Sequence, residues 1–121
     1  MAARLPPIQK LVTFEGTSQA DLRAFPDDAK FDLGHQLDQV QRGLLPDDWK
    51  AMPAVGPGVM ELRCQDKDGW YRVAYVAKFA ESIYVLHAFQ KKTNATSKQD
   101  VDLIKSRLSA VIAKRGKRVK K

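Results

Sequence analysis

The chain has 121 residues and a formal net charge of +7, with 44% hydrophobic and 8% aromatic side chains. That length suggests a single domain over residues 1–121, and the apolar content is enough for a core, which excludes a wholly disordered chain. No apolar run approaches the ~20 residues of a membrane span, and the opening MAARLPPIQK has no continuous apolar segment of the secretory kind, so no membrane association is expected. The lone cysteine, Cys64, cannot close an intramolecular disulfide, which fits a reducing cytoplasm.

The charge is unevenly spread. Residues 1–58 carry six basic and eight acidic side chains, whereas residues 59–121 carry fifteen and six. Six of those fifteen lie in the closing KRGKRVKK. A basic half of this kind favours a polyanion, most commonly nucleic acid. The competing reading is a solubilising tail on an ordinary domain.

In chain order, LVTFE at 11–15 reads as a short strand, broken at Gly16. Thr17 or Ser18 is placed to cap a short helix through Asp21 to Phe25, which Pro26 ends. From Asp28 to Arg42 the apolar positions Leu33, Leu37, Val40 and Leu44 form one helical stripe, expected to be core, with Gly43 as the stop. Residues 46–58, with three prolines and two glycines, read as a loop that Trp49 packs down. Three strands follow at Val59–Cys64, Trp70–Lys78 and Ile83–Gln90. Asp68-Gly69 suits a hairpin turn between the first two. Within the second strand, alternation separates Tyr71, Val73, Tyr75 and Ala77 from Arg72, Ala74, Val76 and Lys78. Ser97, with Asp100 three residues on, marks the start of a last helix striped by Val101, Ile104, Leu108 and Val111 and ending near Gly116. The ordered core is expected over about 11–115, with a basic tail at 116–121. The order strand, helices, three antiparallel strands, helix predicts a small α+β domain: a curved antiparallel meander plus an N-terminal strand, packed by two N-terminal helices and one C-terminal helix.

The chemistry visible in this pattern is cationic. There is no Gly-rich phosphate loop, no nucleophile elbow and no Cys/His metal spacing; His35, on the polar side of its helix, and His87 are too few for a metal centre. Arg63 and Arg72 lie across a hairpin from each other, and Lys91 and Lys92 end the third strand. Neighbouring strands about 4.8 Å apart can gather such side chains around one phosphate. Arginine grips phosphate with two parallel hydrogen bonds, and lysine adds a point charge. The alternative is that Arg63 and Arg72 pair with Glu61, Asp66 or Asp68.

The segment GVMELRCQDKDGWYRVAYVAKFAESIYVLHAFQKKT resembles the central part of the RelE/HigB superfamily of toxins and is most similar to its phage-derived HigB-like subgroup. The marks are Glu61-Leu62-Arg63, Tyr71-Arg72-Val73-Ala74-Tyr75, and Leu86-His87-Ala88-Phe89 followed by Lys91-Lys92-Thr93. The preceding DLRAFPDDAKFDLGHQLDQVQRG also resembles that subgroup's helical segment, so the likeness covers residues 11 to about 112. It implies a RelE-like fold and a type II toxin: a ribosome-dependent messenger-RNA endoribonuclease held by a helix-turn-helix antitoxin. In such enzymes the 2′-hydroxyl attacks the adjacent phosphate, with no metal or cofactor. By position, Arg72 matches the strand arginine on the scissile phosphate, Lys92 the basic residue after the following strand with Lys91 beside it, and Arg63 a further basic strand position. Lys98, Lys114, Arg115, Lys117 and Arg118 are then expected to hold ribosomal RNA through salt-sensitive contacts.

The chain departs from RelE where RelE has strand lysines and this sequence has Val59 and Glu61. The late base-stacking tyrosine also has no match in Thr93–Lys98. The general base is left unassigned. His87 and Tyr75 are the acid/base candidates, with Tyr71 and Tyr84 further stacking or proton-transfer candidates, against the reading of all of them as packing residues. The alternative function is a protein of the same fold that grips RNA or a partner without cutting.

Overall fold

The computed structural model describes residues 9–93 and 95–119. The elements run β1 (Val12–Phe14), α1 (Ser18–Arg23), α2 (Asp27–Gln41), β2 (Trp49–Ala51), β3 (Val59–Asp66), β4 (Gly69–Val76), β5 (Ile83–Lys91) and α3 (Lys98–Val119). They form one five-stranded sheet in the order β1-β5-β4-β3-β2. Strands β3, β4 and β5 are the expected antiparallel meander. The N-terminal strand joins β5 in the parallel sense, so the sheet is mixed. Residues 49–51 correct the expected loop: they form an edge strand on β3, with Lys50 opposite Glu61 and Trp49 opposite Leu62.

Each face of the sheet carries its own core, as the alternation in β4 requires. On one face, Ala29, Leu33 and Leu37 of α2 and Leu22 of α1 pack on Leu62, Tyr71, Val73, Tyr75, Ile83 and Val85. On the other, Ile104, Leu108 and Val111 of α3 pack on Val59, Ala74, Val76, Tyr84, Leu86 and Phe89. The stripe expected on α2 stops short, because Leu44 lies beyond the helix and is 58% exposed. Gln36 takes a buried place instead.

A β-bulge interrupts the second half of the meander. Ala74 pairs with His87 but Tyr75 pairs with Val85, which leaves Leu86 as the extra residue. Both Leu86 and His87 therefore face α3, and Ala88 turns to the opposite core. The Leu86 carbonyl accepts a hydrogen bond from Arg107 Nη1 at 2.9 Å, which ties α3 to the bulge. Gly16 has φ of 54°, and an added Cβ there would meet the Arg107 side chain at 2.6 Å. A side chain at that turn would thus displace the arginine as well as strain the backbone.

The helix ends differ in chemistry from one another. Ser97 caps α3 as expected, its Oγ accepting from the Asp100 N–H at 3.1 Å and bonding the Asp100 carboxylate at 2.7 Å. At α1, Thr17 does not cap. Its hydroxyl donates to Asp21 Oδ2, and Ser18 donates to the Val85 carbonyl instead. Gly116 does not stop α3, which continues to Val119. Lys120 and Lys121 of the basic tail lie outside the described residues. Among the described residues no helix is long and apolar enough to cross a membrane.

The distal part of α3 is held by ion pairs. Arg115 bonds the Glu81 carboxylate and lies 3.8 Å over the Phe79 ring, and Tyr84 donates to the same carboxylate at 2.8 Å. The Arg115 hydrogen bond holds the Glu81 carboxyl at about 2, below its ordinary 4.5. A depressed folded value means that this contribution is present above pH 4.5 and is lost as pH falls toward about 2. Thermal melting of the parent is accordingly expected to weaken across that interval, and Glu81→Gln to flatten the slope while lowering the neutral-pH melting temperature.

Candidate phosphate-binding cleft

Helix α3 covers only part of its face of the sheet. At the Gly69 end of β4 a cleft of about 370 Å³ is left open, and among the described residues none of α3 lines it. Register builds its floor. Arg63 of β3 stands opposite Arg72 of β4, and Glu61 stands opposite Ala74 and Lys50. Lys91 of β5 stands opposite Trp70. Four cations, Lys50, Arg63, Arg72 and Lys91, and two carboxylates, Asp48 and Glu61, line the cleft, leaving an excess of positive charge. The size falls within the roughly 300–1,000 Å³ of small-ligand sites.

The centre of the cleft is a buried, incompletely satisfied charge pair. Arg72 Nε lies 3.7 Å from Glu61 Oε1, with side-chain exposures of 11% and 5%. Arg72 Nη1 donates to its neighbour's carbonyl, on Tyr71. Arg72 Nε and Glu61 Oε2 are buried without a hydrogen-bond partner. Burial lowers the Arg72 guanidinium from its ordinary value, and the Glu61 charge acts the other way. Burial likewise lowers the Lys91 ammonium, with Glu61 opposing and Arg72 assisting. A buried donor, a buried acceptor and a partly buried cation are therefore grouped at the floor of the cleft.

The rim is set by a residue on the far side of the sheet. Gln36 of α2, 1% exposed, donates to the Arg63 carbonyl at 3.0 Å and accepts from the Asp48 N–H at 2.9 Å. It thereby aligns Asp48, whose Oδ1 accepts from Arg63 Nε at 2.9 Å and Nη2 at 2.8 Å. Arg63 is thus paired, with Asp48 rather than with the acids nearer in sequence.

The other expected site residues fall into distinct places. Lys91 lines the cleft, but Lys92 is exposed and lines the adjoining hollow of about 430 Å³ at the hairpin. His87, 6% exposed, lies beneath the first turn of α3. Its Nε2 bonds Asp100 Oδ1 at 2.7 Å, its Nδ1 has no partner, and its ring stacks on Phe89 at 4.7 Å. It lines neither hollow, and its geometry is that of a structural link. Tyr75 lies in the opposite core, where burial pushes its phenol up to about 12. Tyr71 packs against Phe25 on that same side. Cys64 is buried there too, and burial together with a hydrogen bond to Asp32 pushes its thiol up to about 12.

The α3 cations expected on RNA are mostly engaged within the fold. Lys114 bonds both oxygens of Glu15 at 3.1 and 3.0 Å, and Arg115 bonds Glu81. Lys98 pairs with Asp102 at 2.9 Å, and Lys117 is exposed. The Arg118 side chain lies outside the described residues. Among the described residues no group of three or more His, Cys, Asp or Glu could hold a metal ion.

The family model described as "Phage derived protein Gp49-like (DUF891)" matches residues 20–109. The chain belongs to that family. The Gp49-like proteins are a RelE/HigB-like toxin family of toxin–antitoxin systems. No protein of curated function matches the chain. The Gp49-like match runs from α1 into α3 and contains every residue lining the cleft, whereas Lys114, Arg115 and Lys117 lie beyond it.

Removing one partner of the central pair should leave an uncompensated buried charge. Glu61→Ala is expected to lower unfolding stability by about 3 kcal/mol, as measured by urea denaturation. The joint replacement of Glu61 by Leu and Arg72 by Met should recover most of that loss. A Glu61→Ala variant as stable as the parent would show that water already satisfies the pair.

Proposed function

We propose that this Gp49-like chain is the toxin of a type II pair and is a ribosome-dependent endoribonuclease of the HigB kind, cutting messenger RNA in the cytoplasm. The observation that carries the reading is the buried Arg72–Glu61 pair, with one unpartnered donor and one unpartnered acceptor, in a cleft of excess positive charge. Family membership supports a toxin and an antitoxin partner. The cleft supplies the argument for phosphate chemistry.

In this mechanism Arg72 and Lys91 hold the non-bridging oxygens of the scissile phosphate and stabilise the charge that builds on them. Glu61 takes the proton from the 2′-hydroxyl. The 2′-oxygen forms its bond to phosphorus, and the bond to the 5′-oxygen breaks with its electron pair leaving on that oxygen. Lys91, whose ammonium is lowered by burial, gives the leaving oxygen a proton. The products are a 2′,3′-cyclic phosphate and a 5′-hydroxyl, and solvent returns both groups to their starting protonation. Glu61 thus fills the role of base that His87 and Tyr75, buried elsewhere, do not reach.

The second reading, a protein that grips RNA without cutting, is favoured by the fact that Glu61 already neutralises Arg72 at the point where a phosphate would sit. Expression of the chain with intact ribosomes, followed by mapping of message ends, separates the two. New 5′-hydroxyl ends and growth arrest are expected. Arg72→Ala should reduce cleavage roughly 100- to 1,000-fold, the usual effect of removing one transition-state donor. Glu61→Gln should abolish cleavage with ribosome binding retained. Salt-sensitive ribosome binding with no new message ends would select the non-cutting protein.

A further inference from the structure

The cleft contains one aromatic side chain, and neither the charge pair nor the proton transfers use it. Trp70 is half-buried, the second residue of β4, opposite Lys91 and two residues before Arg72. Strand alternation puts Trp70 and Arg72 on the same face, roughly 6.6 Å apart along the chain. That is of the order of the reach from a phosphate to the base of its own nucleotide. Trp70 lines both the cleft and the hollow at the hairpin and is the single aromatic residue lining either. On the far side of it, the hollow is lined by Lys67 and Lys92 together with Asp66 and Asp68.

The indole is also uncommitted inside the fold. Tyr71, Phe79, Tyr84 and Phe89 each have a ring partner, whereas among the described residues Trp70 has no ring contact, cation contact or side-chain hydrogen bond. A half-buried indole at the edge of a cationic cleft is the arrangement that single-strand binders use: cations follow the backbone while an aromatic face takes a base. We propose that Trp70 is the stacking platform for the unpaired nucleobase adjoining the phosphate held by Arg72. The identity of that strand as RNA rests on the ribonuclease reading. The platform itself rests on Trp70, Arg72 and the shape of the two hollows. Every base offers a π-face, so this contact supplies affinity and orientation, not sequence preference.

The full chain carrying Trp49→Phe leaves Trp70 as the only indole, since the sequence has two tryptophans. Its fluorescence is titrated with a short 2′-O-methyl oligoribonucleotide, which cannot be cut, and with the same oligomer made abasic. The expected result is quenching by the base-bearing oligomer and little by the abasic one. Trp70→Ala should weaken binding of the base-bearing oligomer roughly 5- to 150-fold, the range that base stacking on an aromatic ring supplies. Trp70→Phe should recover most of the loss. Equal affinity and equal quenching for the two oligomers overturns the proposal, and that comparison involves no substitution at Trp70. A chain that cuts message yet binds both oligomers alike overturns the stacking platform alone. Base-dependent quenching in a chain that cuts nothing supports the platform and removes the nuclease reading.

Discussion

The extra residue in β5 determines which side chains meet in this protein. Without the bulge at Leu86, alternation counted from Tyr84 would carry Leu86, Ala88, Gln90 and Lys92 to the α3 face. With it, that face receives Leu86, His87, Phe89 and Lys91. One residue therefore exchanges Lys91 for Lys92 beside Arg72, just as a register slip flips a whole strand. The same bulge frees the Leu86 carbonyl for Arg107 and aims His87 at Asp100. The position of α3 and the lysine of the cleft thus share one cause, and Gly16 leaves the space through which Arg107 passes.

That dependence explains what could be read from residues alone. The period-two alternation in β4 and the stripe Ile104, Leu108, Val111 in α3 are strong local signals, and both cores follow them. Arg72 was legible for the same reason, lying in the strand with the clearest alternation. The choice between Lys91 and Lys92 was not, because a bulge without glycine or proline leaves no mark in the sequence. The edge strand β2 was hidden as well: three residues in a proline-rich loop are extended by their pairing with β3 and not by their own preference. Gln36 carries no readable signal for a different reason. It sits on an apolar helical face, where a polar residue looks like a break in the stripe, yet its amide is what joins Arg63 to Asp48.

The distribution of charge also changes meaning once the chain is folded. The C-terminal helix has the densest run of cations in the sequence, but Lys114 and Arg115 act as struts to Glu15 and Glu81. Their formal charges are largely cancelled by nearby carboxylates. The less conspicuous cations of the sheet are gathered on a surface that α3 leaves bare. Net charge favours a polyanion but says nothing about which cations folding has neutralised.

The Glu61 carboxylate beside Arg72 occupies the place that a phosphate oxygen takes on the proposed reading. A guanidinium this far from water would repel its neighbours Arg63 and Lys91 and draw in any small anion of the surroundings. With the carboxylate in place Arg72 itself is neutralised at rest, and a stray phosphate ion must displace an internal rival to bind there. A long strand that touches several points of the surface at once can meet that cost, whereas a single free anion cannot. On the proposed reading, the arrangement favours polymers over monomers without any contact that recognises length.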